Sequence, residues 1–388
     1  MSSDRDDRSA PPKLGFACTW DPEPQGTWSG TPWRLRAALM DRTEVTDLDT
    51  APGRASRFAL RAAAARRHDG RWISPWRYTS LGMRVVRHNL RREVRRQPCD
   101  AVIEIGDLGQ VDRPYFLVQD LTTQSVLDHF EDGGAPHFPG LTRSALAARV
   151  AWQQEVYGRA AGILAMSAWM ADSVIAQGVP REKVSVIHPA AIATIGAAPP
   201  RPRRRTSRRT RLLLIGRDLH TKGGDIVVAA LEILRREVDP DVTLTVAGPA
   251  VWPFPGSPPK GVAFVGRVPA ADVVRLYDTH DLFVMPSRLE GFGMVFAEAL
   301  SRGLPCVGRD AFAMPELIQP GVNGGLIRSL DPVELAQVIA DTLVDEDLYR
   351  QCWAQASAVA EHYTWDRMAA EVLDAVGARL GVDVDLPA

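Results

Sequence analysis

The sequence predicts an α/β protein of two doubly wound domains, each on a parallel sheet and facing the other across a cleft. Three observations predict it. Short apolar runs alternate with helical patterns in both halves, as parallel sheets with crossover helices require. The composition breaks once, at 197–211, where "AAPPRPRRRTSRRTR" combines Pro with seven Arg and almost nothing apolar. With 388 residues, 45% hydrophobic and 24% charged, the chain is long enough to bury two cores.

Each element follows from its local pattern. "LGFAC" (14–18) is a short apolar strand leading into the loop "TWDPEPQGTWSGTPW". There Thr31 and Pro32 supply an N-cap and a first helical position. Apolar runs at 101–105, 115–118, 161–166 and 184–187 are buried strands, with a helix over 144–159 among them. After the break come strand 212–215, helix 224–236, strands 242–247 and 262–265, helix 270–279, strand 282–285 and a helix from about 292. Helical patterns at 331–344, 346–362 and 365–380 close the chain. The expected domains are a disordered terminus 1–12, a first domain 13–196, a linker 197–211, a second domain 212–362 and a terminal helical segment 363–388.

Composition excludes several classes. No apolar run approaches the ~18 residues of a membrane span, and "MSSDRDDRSAPP" lacks the apolar core of a secretory signal, which points to the cytoplasm. Cys18, Cys99, Cys306 and Cys352 show no metal or disulfide spacing. A net charge of −1 makes no global case for nucleic acid, and the basic linker needs no partner. His137 and His188 are expected to be structural.

Two strand exits carry chemistry. "GRDLHTKGGD" (216–225) lacks both the dinucleotide glycine fingerprint and the P-loop. It offers Arg217, Lys222 and a Gly-Gly pair at a helix start, where dipole, free N–H groups and cations favour an anion; a solvated loop is the alternative. "PSRLEGFGMVFAEAL" (286–300) sets Glu290 in a loop, with Gly291 and Gly293 allowing close backbone approach, and Glu298 on the helix body. Eight residues of helix span about 12 Å. Glycosidase carboxylates lie roughly 5–10 Å apart, so the pair suits instead a long ligand with hydroxyls at both ends and an anionic middle. A sugar nucleotide has that form. The alternative is a solvated helix residue at each position.

Together these residues resemble the retaining glycosyltransferases of family 4, the glycosyl transferases group 1, which have the GT-B fold of two Rossmann-like domains. The resemblance covers most of the chain and is strongest over 212–327. It is carried by P-S-x-x-E-G-F-G-x-x-x-x-E-A at Pro286 to Ala299, G-R-x(4)-K-G at Gly216 to Gly223, and "PELI…GVNGGLI" at 315–327. It implies that Arg217 and Lys222 hold a donor diphosphate, and that Glu290 faces the transferred sugar near the backbone of Phe292, Gly293 and Met294. It also implies that Glu298 takes the ribose, and that Gly266, Arg267 and Val268 line the base. "WSGTPW" matches the family's glycine loop, so Ser29, Gly30 and Thr31 would reach the diphosphate or acceptor across the cleft. The implied chemistry is front-face substitution, from UDP foremost, with no metal and no cofactor, and the final helix is implied to cross back onto the first domain.

Two departures bear on the site. Where many members carry His-Asp, this chain has Gln119-Asp120, making Asp120 the candidate for the sugar-facing role. "AFAMPELI" stands where Gly-Gly usually precedes Pro-Glu, which weakens Glu316 as a carry-over. The resemblance leaves two rivals, a sugar-nucleotide epimerase and a catalytically silent sugar-nucleotide-binding protein.

For the acceptor, residues 54–97 hold 13 Arg against Asp69 and Glu93. This is either a surface for a lipid-linked acceptor or anionic lipid at the inner membrane face, or a solvated Arg-rich helix. Trp72 and Trp76 are expected to stack on a sugar, to dip into an interface, or to pack in the core or a loop. Glu104 and Asp107 follow a strand and form, on one reading, an acidic acceptor cleft with Asp120.

Overall fold

The computed structural model describes residues 11–68, 70–130, 140–192 and 208–382. These fall into two compact units, one of residues 11–189 with 365–382 and one of 190–364. His137 and residues 197–207 of the expected linker lie outside the described residues.

The first unit runs β1 (Leu14–Ala17), α1 (Thr31–Met40), β2 (Val45–Leu48), α2 (Arg54–Ala63), β3 (Arg66–His68), β4 (Arg71–Ile73), α3 (Ser80–Arg96), β5 (Ala101–Ile105), β6 (Tyr115–Gln119), α4 (Thr123–Asp128), α5 (Arg143–Arg159), β7 (Gly162–Ala165), α6 (Ala168–Ala176) and β8 (Val184–Val186). Its parallel sheet has the order β2-β1-β5-β6-β7-β8, while β3 and β4 form a separate antiparallel pair. Four helices begin at a Ser or Thr whose hydroxyl accepts an otherwise unpaired N–H: Thr79 from Gly82, Thr122 from Ser125, Thr142 from Ala145 and Ser167 from Met170. One face of the sheet packs on α3, α5 and α6 through Leu90, Val156 and Val174.

The second unit runs β9 (Arg211–Ile215), α7 (Gly224–Glu237), β10 (Thr243–Ala247), β11 (Val262–Gly266), α8 (Ala270–Thr279), β12 (Leu282–Val284), α9 (Met294–Ser301), β13 (Cys306–Arg309), α10 (Met314–Leu317), β14 (Gly324–Ile327), α11 (Pro332–Val344) and α12 (Glu346–His362). Its parallel sheet has the order β11-β10-β9-β12-β13-β14, that of a dinucleotide-binding sheet. The last helix, α13 (Trp365–Leu380), packs on α1 and β7 of the first unit. Met368, Ala369, Val372, Leu373 and Val376, at helical spacing, join the other face of that unit's core.

Several details differ from the sequence reading. Arg208 and Arg209 belong to the second unit: Arg208 pairs with Asp239 and Asp241, and Arg209 lies 3.8 Å over the Tyr349 ring. Strands β2, β3, β4, β13 and β14 are additional. The last two read poorly because Gly is rare in strands, yet here it is needed: a Cβ on Gly324 would stand 1.8 Å from the Cys306 carbonyl oxygen, and one on Gly325 2.5 Å from Val338. Helix α9 begins at Met294 and not near 292, because Gly293 takes a left-handed φ of 90° immediately before it. No helix among the described residues is long and apolar enough to cross a membrane.

Candidate functional site

In the second unit the strand order reverses between β9 and β12, and the loops leaving these strands meet. Asp218 folds the first loop: its carboxylate accepts from the N–H groups of His220 (3.1 Å) and Thr221 (3.3 Å) and from the Thr221 hydroxyl (2.8 Å). Gly223 then takes a φ of 72°, and a Cβ there would stand 2.4 Å from the Pro286 carbonyl oxygen of the second loop. A glycine is what lets the loops approach this closely. Gly216 makes room within the first loop, since a Cβ on it would meet the Lys222 Cγ at 2.7 Å.

The meeting of the loops brings Lys222 to Glu290. The ammonium donates to Glu290 Oε2 at 2.7 Å, and the Ser287 hydroxyl donates to the same oxygen at 3.3 Å. The two charged side chains are 19% and 10% exposed, so the pair is shielded without being sealed. No described residue donates to Glu290 Oε1. Gly293 follows, and behind it the α9 N-terminus has no side-chain cap. Arg217 is exposed at the same strand end, whereas Phe292 is buried with its ring 5.8 Å from that of Tyr363.

A clamp absent from the sequence reading holds the loops in register. Arg288 donates through Nη1 to the His220 carbonyl (2.6 Å) and to Asp225 Oδ1 (2.7 Å), and through Nη2 to Asp225 Oδ2 (2.7 Å). Its backbone N–H donates to the Thr221 carbonyl at 2.8 Å. Burial pushes the Asp225 carboxyl up, but the Arg288 guanidinium outweighs it and leaves the group below its usual value. Ser287 and Glu290, three apart, carry a legible signal in their S-x-x-E spacing. Arg288 and Asp225 carry none, because a charge in a loop says nothing of its partner.

Other expected donor residues are spread around this centre. Glu298 is 5% exposed; Oε1 accepts from the Ile192 N–H (2.9 Å) and Oε2 from the Tyr277 hydroxyl (2.8 Å). Its immediate work in this structure is therefore to bind α9 to α8 and to the backbone at 192. Gly266 ends β11 with a φ of 69° and its carbonyl accepts from Gly248 N–H; Arg267 beyond it is exposed. Phe312, in the segment without Gly-Gly, nevertheless holds a left-handed φ of 58°, a conformation costing roughly 1 kcal/mol outside glycine. Glu316 lies on α10.

The first unit treats its expected residues differently. Trp28, Ser29 and Gly30 take successive φ values of 45°, 61° and 100°, a left-handed turn that delivers the chain to Thr31 at the start of α1. A Cβ on Gly106, past β5, would lie 3.7 Å from the Trp28 ring, so this loop reaches the β5 exit. Asp120 follows β6, and its neighbour Gln119 is buried, accepting from the Tyr157 hydroxyl.

The acidic acceptor cleft is corrected. Glu104 is fully buried, and its Oε2 accepts from the Leu108 and Gly109 N–H groups at 3.1 Å each. Asp107 is buried against Arg149. Burial drives Glu104 well above the usual carboxylate range and raises Asp107 despite Arg149 beside it. Both stabilise a turn and present no surface to an acceptor. Trp76 is likewise core, 5% exposed and packed with Leu60 and Val86, whereas Trp72 is 73% exposed. His188 is structural to the extent that its carbonyl accepts from Arg367 at 2.6 Å.

Residues 209–345, which contain both meeting loops, match the model of the glycosyl transferases group 1. This region belongs to that family. The chain is 30% identical over 174 residues to a D-inositol 3-phosphate glycosyltransferase of Streptomyces scabiei, covering 41% of this chain and 39% of the relative. It is 31% identical over 193 residues to a GDP-mannose-dependent alpha-(1-6)-phosphatidylinositol monomannoside mannosyltransferase of Mycobacterium tuberculosis, covering 45% and 49%. The chain thus spans about half the length of the curated relatives it matches. Among solved structures, it resembles sucrose-phosphate synthase from Thermosynechococcus elongatus with a TM-score of 0.70 at 14% identity, over 95% of this chain and 99% of that one. It also resembles Anabaena HepE, solved with UDP-glucose, with a TM-score of 0.63 at 18% identity, over 95% and 100%. The fold is GT-B.

Proposed function

We propose that the chain is a retaining glycosyltransferase of family 4 that moves a sugar from a nucleoside diphosphate to a hydroxyl acceptor. The observation that carries this is the Lys222–Glu290 pair at the meeting of the β9 and β12 loops, beside the uncapped α9 N-terminus. An ammonium has three N–H donors. Glu290 takes one, leaving two for diphosphate oxygens, with Arg217 and the α9 N–H groups adding to the same anion site. Glu290 Oε1 is left for a sugar hydroxyl. Glu298, although engaged, has second lone pairs that can accept from ribose hydroxyls.

In the proposed step the acceptor oxygen bonds to the anomeric carbon on the face the diphosphate leaves. The glycosidic C–O bond to phosphate breaks, and the acceptor's proton passes to the departing phosphate oxygen. Lys222 and Arg217 stabilise the charge that gathers there, and a preorganised donor of this kind is worth about 10²–10³ in rate. The residues suffice without a metal or cofactor, and Asp120 is the proposed sugar-facing group of the first unit. The sequence reading favours UDP; the mannosyltransferase relative, whose name carries GDP-mannose, makes GDP the rival.

The test is incubation of the purified chain with UDP-, GDP-, ADP- and dTDP-sugars, with and without a panel of hydroxyl acceptors, followed by NMR of the anomeric proton. A product that keeps the donor's anomeric configuration supports the reading. Inversion overturns the retaining mechanism, donor isomerisation without acceptor points to an epimerase, and binding without turnover points to a silent binder.

A further inference from the structure

The loop that leaves β1 holds an indole where packing does not ask for one. Its base is pinned: the Thr27 hydroxyl accepts from the Asp21 N–H at 2.9 Å, and Arg77 donates to Asp21 Oδ1 at 3.1 Å and to the Trp20 carbonyl at 2.7 Å. Trp20 stacks on Phe16 with ring centroids 6.1 Å apart and meets Trp33 edge-on at 6.0 Å. Trp28 is placed otherwise. It is 41% exposed, and among the described residues no ring stacks on it and no acceptor takes its indole N–H. Its φ of 45° and the φ of 61° at Ser29 are left-handed, a region that residues other than glycine rarely enter.

Such strain persists only where the surrounding structure imposes it, and it clusters at functional sites. Burial does not account for it here, since the ring it places stays in solvent. The position is also telling. A Cβ on Gly106, at the β5 exit, would lie 3.7 Å from the Trp28 ring. The first unit's strand order reverses between β1 and β5, and open parallel sheets take their ligands at such a point. Glu104 and Asp107 of the same exit are buried and offer that ligand no charge.

We propose that Trp28 is a stacking platform for a six-membered polyhydroxylated ring, a pyranose or a cyclitol, and that this ring carries the acceptor hydroxyl. Such a ring has two features that an exposed indole can use together. Its C–H groups make an apolar face for the π-surface, and its hydroxyls accept from the indole N–H. A flat aromatic ligand would cover the indole but leave the N–H unused, and an acyclic polyol has no face to stack. The role as acceptor rests on the transfer reading above, whereas the binding itself needs no turnover.

The experiment is saturation-transfer NMR of the full chain, alone and with UDP or GDP, against methyl glucoside, methyl galactoside, methyl mannoside and myo-inositol. Glycerol and phenol serve as the acyclic and the aromatic comparison. At least one ring compound should receive saturation, strongest at the protons of one ring face, and its identity separates pyranose from cyclitol. Trp28→Gly, in which the left-handed φ suits the new residue, should melt no lower than the parent and weaken the ring's affinity roughly ten-fold. Trp28→Phe, which keeps an aromatic face and loses the N–H, should fall between the two. No saturation of any ring compound, glycerol or phenol saturated as strongly as the rings, or undiminished saturation in Trp28→Gly overturns the proposal. Ring binding that depends on Trp28, with no product from any donor, would uphold the platform and overturn the transfer reading instead.

Discussion

Each of the two six-stranded parallel sheets reverses its strand order once: β1 beside β5 in the first unit, β9 beside β12 in the second. Both reversals put carboxylates at strand exits, yet they use them oppositely. At β12 the carboxylate of Glu290 keeps one oxygen for Lys222 and Ser287 and presents the other. At β5 Glu104 and Asp107 are sunk beneath the surface, tied to backbone N–H groups and to Arg149. Topology supplies the place for a ligand, and under the proposed function the partner each acid takes, a lysine on a second loop or its own turn and Arg149, divides the chemical role from the structural one.

Substitutions at four positions test that division. The largest effect is expected from Asp107→Ala, which leaves Arg149 buried without its partner. Stability should fall by about 3–5 kcal/mol, read as a lowered denaturant midpoint, with transfer by the folded fraction unchanged. Next are Lys222→Ala and Glu290→Ala, each expected to lower transfer about 10²–10³-fold while the melt stays close to the parent's. Near-normal activity in either would remove the site assignment. Arg288→Ala should release the loop clamp and slow transfer by up to about 10²-fold. Arg288→Lys, which cannot make the bidentate contact to Asp225, should recover part of that loss. Full activity in Arg288→Ala would show that the clamp is not needed to position Lys222 and Glu290.

The smallest effect is one of pH. The folded state holds the Glu104 proton above its usual range, while the unfolded chain releases it near pH 4.3. Above that pH the unfolded state binds fewer protons, so ionisation penalises folding until Glu104 itself titrates. Glu104→Gln removes the penalty. Its Tm should exceed the parent's by roughly 2–4 °C at pH 7 and converge with it near pH 4. A difference independent of pH would mean that Glu104 is ionised in the fold.

What the sequence made legible follows the same division. Strand exits and glycine loops are local patterns, so Lys222, Glu290 and the helices from 224 onward could be read directly. Helices α8, α12 and α13 keep the bounds that their periodicity gave. Contacts distant along the chain could not be read. Nothing in "RLE" announces that Arg288 reaches Asp225, and nothing in "EIGDLG" says that Glu104 lies beneath its own turn. Trp72 and Trp76, four residues apart in one motif, had equal claims until packing with Leu60 took Trp76 inside. Strands β13 and β14 were hidden because their glycines answer to neighbours in space and not to strand propensity.

The most direct test of the central claim, that the Lys222–Glu290 pair is the donor site, is a thermal-shift titration. UDP- and GDP-sugars with their free nucleotides would be measured against the parent chain and Lys222→Ala. A nucleotide at ~100 times its dissociation constant should stabilise the parent by about 2.7 kcal/mol. The account predicts one such nucleotide and loss of its shift in Lys222→Ala. An undiminished shift in that variant would contradict it.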